Sequence, residues 1–190
     1  MILTMHGLST MHNNLRSDIR LAGETGYEAI EILASKLLRY LDQGYRAEDL
    51  RPLLREHGVR AVCINALANV ERASERGRRT LLAEARRLCV AAEALSCPTI
   101  QLVPLTGLAG RPWCEVLEQT ARNVAAIADI GAQHGVRFQL EPVAWAPIHS
   151  LEGSLALIDA VERANVGMVI DFWHLWAGED TTPDEVAQLD

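Results

Sequence analysis

The sequence predicts an α/β fold in which parallel strands alternate with helices, and within that class it favours the closed (β/α)8 barrel. Three observations carry the prediction. Six short apolar runs alternate with amphipathic segments along the 190 residues. No GxGxxG follows the first run and no GxxxxGK[ST] occurs anywhere, so the open doubly wound sheet loses its nucleotide-binding signature. Glu31, Asn65, Gln101, Glu141 and Asp171 fall in or just after their runs, and a barrel gathers its functional groups at that C-terminal rim.

The elements follow in order. Ile2–Met5 is the first predicted strand, and "NNLRSDIRLAGETG" after it has helical spacing. Ala29–Leu33 is the second, followed by the helical "AEDLRPLLREHG". Gly58 ends that helix in a position suited to the left-handed cap, and Val59–Ile64 then reads as the third strand. "SERGRRTLLAEARRLCVAAEALS" leads to Thr99–Val103, and "CEVLEQTARNVAAIADIGAQHG" leads through Gly135 to Val136–Leu140. "SLEGSLALIDAVERAN" precedes the sixth strand, Val166–Ile170, and "FWHLWAGED" reads as a loop. Thr182, Pro183 and Glu185 then form a capping box with proline at the first helical position. Helices that return the chain to one edge make the strands parallel, and nearly continuous apolar strands suit burial on both faces.

A whole barrel takes roughly 250 residues. The expectation is therefore one domain over residues 1–190, a barrel truncated after strand six and the start of helix six. Such a sheet has two edges, which a partner or a second copy would cover, so homo-oligomerisation stays open.

Composition narrows the function. The net charge of -7, from 18 basic and 25 acidic residues, does not favour a nucleic-acid backbone as partner. No run reaches the roughly 18 apolar residues of a membrane span, and the N-terminus lacks the basic start of a signal peptide. Cys63, Cys89, Cys97 and Cys114 show no CxxC spacing. A reduced, cytoplasmic setting is expected.

Glu141 and Asp171 carry the chemistry. Each ends its strand, Glu141 being followed by Pro142, and neighbouring parallel strands lie about 4.8 Å apart. Two carboxylates so placed can share a divalent cation. An Asp171 carboxylate after four apolar residues would need a metal or a hydrogen-bond partner, and His174 is a candidate for the latter. His6, Asn65, Gln101, Trp145 and Trp173 are candidate substrate contacts, with Trp176 and Glu31 as further rim residues. His149 reads as part of a helix N-terminal loop, and "ERASERGRRT" as a solvated helix start.

"FQLEPVAW" followed by "SLEGSLALIDAVERANVGMVIDFWHLW" resembles the xylose isomerase-like TIM-barrel superfamily, which holds sugar isomerases and epimerases, inosose and dehydroshikimate dehydratases, and apurinic endonucleases. The resemblance is strongest over residues 136–176. It implies that Glu141 and Asp171 are the first two ligands of a divalent metal (Mn, Mg, Co or Zn) and that His174 contacts substrate. It also implies a third ligand, a histidine, and a fourth, a glutamate, from strands that these 190 residues do not contain. Glu141 would double as ligand and acid/base group.

The expected function is isomerisation or epimerisation of a small sugar or hydroxy-ketone through an enediolate. Two alternatives stand beside it. The same enolate could expel a β-hydroxyl, which makes a dehydratase, or the chain could be a non-catalytic fragment or partner-dependent subunit. DNA repair is rejected, because Asn65 and Gln101 stand where that branch has zinc-binding histidines.

Overall fold

A computed structural model describes residues 1–189. It contains a single six-stranded sheet in the order β1-β2-β3-β4-β5-β6, every neighbouring pair parallel. The strands are β1 Thr4–His6, β2 Ala29–Leu33, β3 Arg60–Ala68, β4 Thr99–Val103, β5 Arg137–Leu140 and β6 Val166–Met168. Spatial order that follows chain order without reversal is barrel order; a doubly wound sheet reverses at a switch point. The helices are α1 Leu15–Glu24, α2 Ala34–Asp42, α3 Arg51–Glu56, α4 Glu75–Leu95, α5 Trp113–Ala132, α6 Leu151–Val161, α7 Phe172–Ala177 and α8 Pro183–Val186.

One hydrophobic cluster runs from Met5 on β1 to Val166 on β6 and joins the sheet to its helices. Phe138 and Gly131 show how close the layers come: a Cβ at Gly131 would run into the Phe138 ring. Glycine is required there for α5 to pack onto β5. Gly58 and Gly135 take positive φ of 64° and 65°. The amides of Val59 and Val136 then reach back to Leu54 and Gly131, closing α3 and α5 directly into strands.

Five expectations are corrected. β6 ends at Met168, short of Ile170, so Asp171 lies just beyond the strand rather than at its end. β1 lies at Thr4–His6, later than expected, so His6 is within the strand rather than after it. β3 extends to Ala68 and holds Asn65 inside it. Helix α2, unpredicted, follows β2 with no loop between, and its buried face of Ala34, Lys36, Leu37 and Tyr40 includes a lysine that breaks the apolar pattern. α7 occupies the expected loop because Asp171 accepts a hydrogen bond from the His174 amide as N-cap, while only Leu175 of that helix is buried. The capping box at Thr182 and Glu185 forms as predicted and starts α8.

"ERASERGRRT" is only partly a solvated start. Glu71 is 2% exposed and accepts hydrogen bonds from the amides of Leu105 and Gly107, tying the loop after β3 to the loop after β4.

Candidate functional site

The strand ends assemble a polar rim. β5 ends at Leu140, and the Glu141 amide still donates to Leu102 on β4, which fixes the carboxylate at the mouth. Pro142 interrupts the ladder immediately after. On the neighbouring strand, the Val169 amide donates to Leu140, and two residues later Asp171 turns into α7.

Ligating atoms of Glu141, Asp171 and His174 all lie within 4.8 Å of one another, and all three residues are half-buried. The Asp171 side chain has one bond in hand, from the His174 amide at 3.0 Å. The expected side-chain partnership between Asp171 and His174 is thus replaced by a backbone cap. His174 in turn accepts the Ala144 amide at Nδ1, 3.3 Å away, leaving Nε2 for the cluster.

Behind Glu141 runs an amide relay. Gln139 Nε2 donates to Gln101 Oε1 at 2.8 Å, and Gln101 Nε2 donates to Glu141 Oε2 at 2.7 Å. Gln101 and Gln139 are register partners on β4 and β5, which puts both side chains on one face of the sheet. Gln101, read as a substrate contact, is instead 2% exposed and spends its amide on the carboxylate. Gln139 was not foreseen, although its two-residue spacing from Glu141 in "FQLE" signals a shared face.

Burial, first, and the neighbouring Asp171 charge raise the Glu141 carboxyl to about 7; Gln101 opposes the rise and Glu31 adds to it. A carboxyl poised there exchanges protons near neutrality. The Glu31 carboxylate belongs to a second group, with Oε2 3.4 Å from His6 Nε2. His6 Nε2 also lies 3.2 Å from Asn65 Nδ2, while its Nδ1 accepts the Leu8 amide at 3.0 Å. With Nδ1 accepting, Nε2 is the ring nitrogen left to face Glu31 and Asn65.

Aromatic residues frame the mouth. Trp145 and Trp173 are each 59% exposed, and both meet the His174 ring edge-on at 5.1 and 4.8 Å. Trp176 and Phe172 are also exposed, so neither is core. His149 lies in the loop just before α6, as expected: Nδ1 faces the Ala146 carbonyl and Nε2 the Asp180 carboxylate at 2.8 and 2.7 Å.

The donor set fits a divalent cation. Two carboxylates whose proximity raises a pKa are a charge pair that a cation would compensate, and carboxylate oxygens suit a divalent ion such as Zn2+ or Mn2+. The four cysteines are free, and burial pushes the thiols of Cys89 and Cys97 up to about 12, which makes them packing residues. Among the described residues no helix is long and apolar enough to cross a membrane.

Known proteins are similar over nearly the whole chain. An inosose isomerase of Bacillus velezensis is 29% identical over 181 residues, which cover 93% of this chain and 64% of that protein. The Bacillus subtilis inosose isomerase is 26% identical over 93% of this chain and 65% of its own length. The chain thus spans slightly less than two thirds of these relatives. Among solved structures, the IolI protein with a bound zinc atom superposes with a TM-score of 0.90 at 25% identity, over 100% of this chain and 69% of that one. D-psicose 3-epimerase from Clostridium cellulolyticum H10 shares the fold with a TM-score of 0.83 at 18% identity, over 98% and 69%. Residues 19–190 match the sequence profile of the xylose isomerase-like TIM barrel, and the chain belongs to that family.

Proposed function

We propose that the chain carries the rim of a divalent-metal-dependent isomerase or epimerase acting on a small sugar or cyclic hydroxy-ketone, within a single barrel domain. The observation that carries this reading is the Glu141, Asp171 and His174 cluster, with the Glu141 carboxyl raised to about 7. Similarity to inosose isomerases supports a polyol ketone as substrate class.

Glu141 and Asp171 would hold the metal. When bound, the cation polarises a substrate carbonyl and offsets charge that develops on its oxygen. Glu141 sits on the strand end beside a buried amide relay that fixes its carboxylate, so it is the group to take the proton from the carbon next to the carbonyl and return it to the enediolate. Returning it to the other carbon moves the carbonyl; inverting the centre takes, in addition, a second acid that delivers a proton to the opposite face.

His174 is better suited to substrate than to metal. Its Nδ1 accepts an amide hydrogen, so the neutral ring bears its proton on Nε2 and presents a donor to a hydroxyl or carbonyl. Trp145 and Trp173 offer apolar faces to the ring carbons, and His6 and Asn65 offer polar groups from β1 and β3. Gln101 acts through Glu141 and is a positioning residue.

The test is calorimetric titration with Mn2+ and Zn2+ of the chain and of its Glu141→Ala, Asp171→Ala double variant, followed by NMR of deuterium uptake into inososes and ketohexoses in D2O. Saturable metal binding lost in the double variant, with metal-dependent exchange at the carbon next to the carbonyl, is expected. Absence of saturable binding in the parent chain refutes the metal site. An absorbing enone product in place of exchange reassigns the enolate chemistry to dehydration.

A further inference from the structure

We propose that the cleft between α1 and α2 binds a small organic anion, a carboxylate or phosphate monoester on a flat ring, independently of the strand-end rim. A cavity of about 300 Å³ opens there, and Asn13, Arg16, Lys36, Arg39, Tyr40 and Tyr45 form most of its wall. That volume is at the lower end of small-molecule sites.

Charge is the first argument. No Asp or Glu lines the cleft, although the chain carries 25 acidic residues and a net charge of -7. Nearby arginines find acids: Arg20 pairs with Glu24, Arg46 with Glu48 and Arg87 with Asp42. Arg16 and Arg39 are both exposed and form no ion pair or side-chain hydrogen bond among the described residues. Lys36, by contrast, is buried and neutralised by Asp18 at 2.6 Å, so the excess charge of the cleft belongs to the two guanidinium groups. The first turn of α1 adds to it. Asn14 accepts the Ser17 amide, which leaves other first-turn amides at the positive end of a ten-residue helix.

The tyrosines are the second, independent argument. Tyr40 and Tyr45 stack with centroids 4.8 Å apart and planes 20° from parallel. Tyr40 is 7% exposed while Tyr45 is 55% exposed, so a surface ring is held in place by a buried one. The Tyr40 hydroxyl is itself closed off from solvent, so Tyr40 serves the cleft as a packed ring and not as a polar group. Exposed arginines taken singly are solvated and need no ligand. Two that converge on a cleft with an ordered aromatic wall and no acid fit an anion attached to a ring, since guanidinium recognises carboxylate and phosphate in a bidentate fashion.

Calorimetric titration of the 190-residue chain with phenyl phosphate, benzoate, inorganic phosphate and phenol tests this directly, and the first two separate phosphate from carboxylate as the preferred anion. Saturable binding of phenyl phosphate or benzoate, tighter than inorganic phosphate and absent for phenol, is expected. Arg16→Gln and Arg39→Gln should each weaken it at least tenfold, the loss of a charge-assisted hydrogen bond. Arg39→Lys, which keeps the charge, should fall between. Arg79→Gln on α4 and Asp171→Asn at the rim should leave it unchanged, with thermal melts confirming that every variant folds. The proposal is overturned by no saturable binding of either ring anion, by binding that survives both arginine-to-glutamine changes, by binding lost in Asp171→Asn, or by inorganic phosphate matching phenyl phosphate.

Discussion

Replacing Asp171 separates its charge from its structural role, because the same side chain caps α7 and presses on Glu141. Its carboxylate accepts the His174 amide at 3.0 Å, and an asparagine oxygen caps equally well, whereas alanine loses about 1 kcal/mol. The charge acts across at most 4.8 Å to Glu141. At an effective dielectric constant near 20 this distance gives roughly 3.5 kcal/mol of repulsion, which half-exposure to water reduces to about 1 kcal/mol. The repulsion exists only when Glu141 is ionised. Its folded pKa of about 7 lies above the ordinary 4.5, so the native state is favoured in acid and loses stability as pH rises from about 4.5 through 7. In EDTA at pH 8, Asp171→Asn should therefore be about 1 kcal/mol more stable than the parent, and Asp171→Ala should be near the parent because cap loss and charge relief cancel. At pH 5 Asp171→Asn should match the parent, and Asp171→Ala should be about 1 kcal/mol less stable. Urea denaturation at both pH values, followed by tryptophan fluorescence, reads all four differences. If the loss of stability from pH 5 to 8 is the same in Asp171→Asn as in the parent, the carboxylate coupling is wrong; if the two variants are equal at both pH values, the cap is.

Other perturbations address the rest of the molecule. Lys36→Met strips its partner from Asp18, leaving a carboxylate 1% exposed with only the Thr10 hydroxyl, and should cost about 3–5 kcal/mol by urea denaturation; Lys36→Met with Asp18→Leu should recover much of it. Gly131→Ala drives a methyl into Phe138 and should cost about 1–3 kcal/mol, with Phe138→Leu in the same chain costing less than the sum of the two changes. The Asp180 hydrogen bond raises the His149 pKa, so that contact stabilises the fold fully below about 6.5 and its contribution is lost as pH rises through the raised value. His149→Gln should remove that step from a plot of melting temperature against pH between 5.5 and 8.5, and an unchanged step would assign it to another group.

What the sequence reveals of this fold depends on whether a residue's task is periodic or relational. β2 and β4 match prediction to the residue because apolar runs bounded by turns define them, and Gly58 and Gly135 mark helix ends because a positive φ is a local demand. Helix α2 escaped because it begins where β2 ends and buries a lysine, and only the position of Asp18 and Thr10 in space explains why that lysine is there. The site divides in the same way. Glu141 and Asp171 are visible as acids that terminate apolar strands, whereas the relay from Gln139 through Gln101 to Glu141 requires the β4–β5 register, which no single segment encodes. Gln101 therefore looked like a group available to substrate when its amide is already spent, and Asp171 looked like a side-chain partner for His174 when it holds that residue by the backbone. The consequence is chemical as well as structural. A carboxylate fixed by a buried amide, beside a second carboxylate fixed by a helix cap, is pre-set in geometry before any ligand arrives, and it is this fixing that keeps both charges within 4.8 Å instead of letting them swing apart into water.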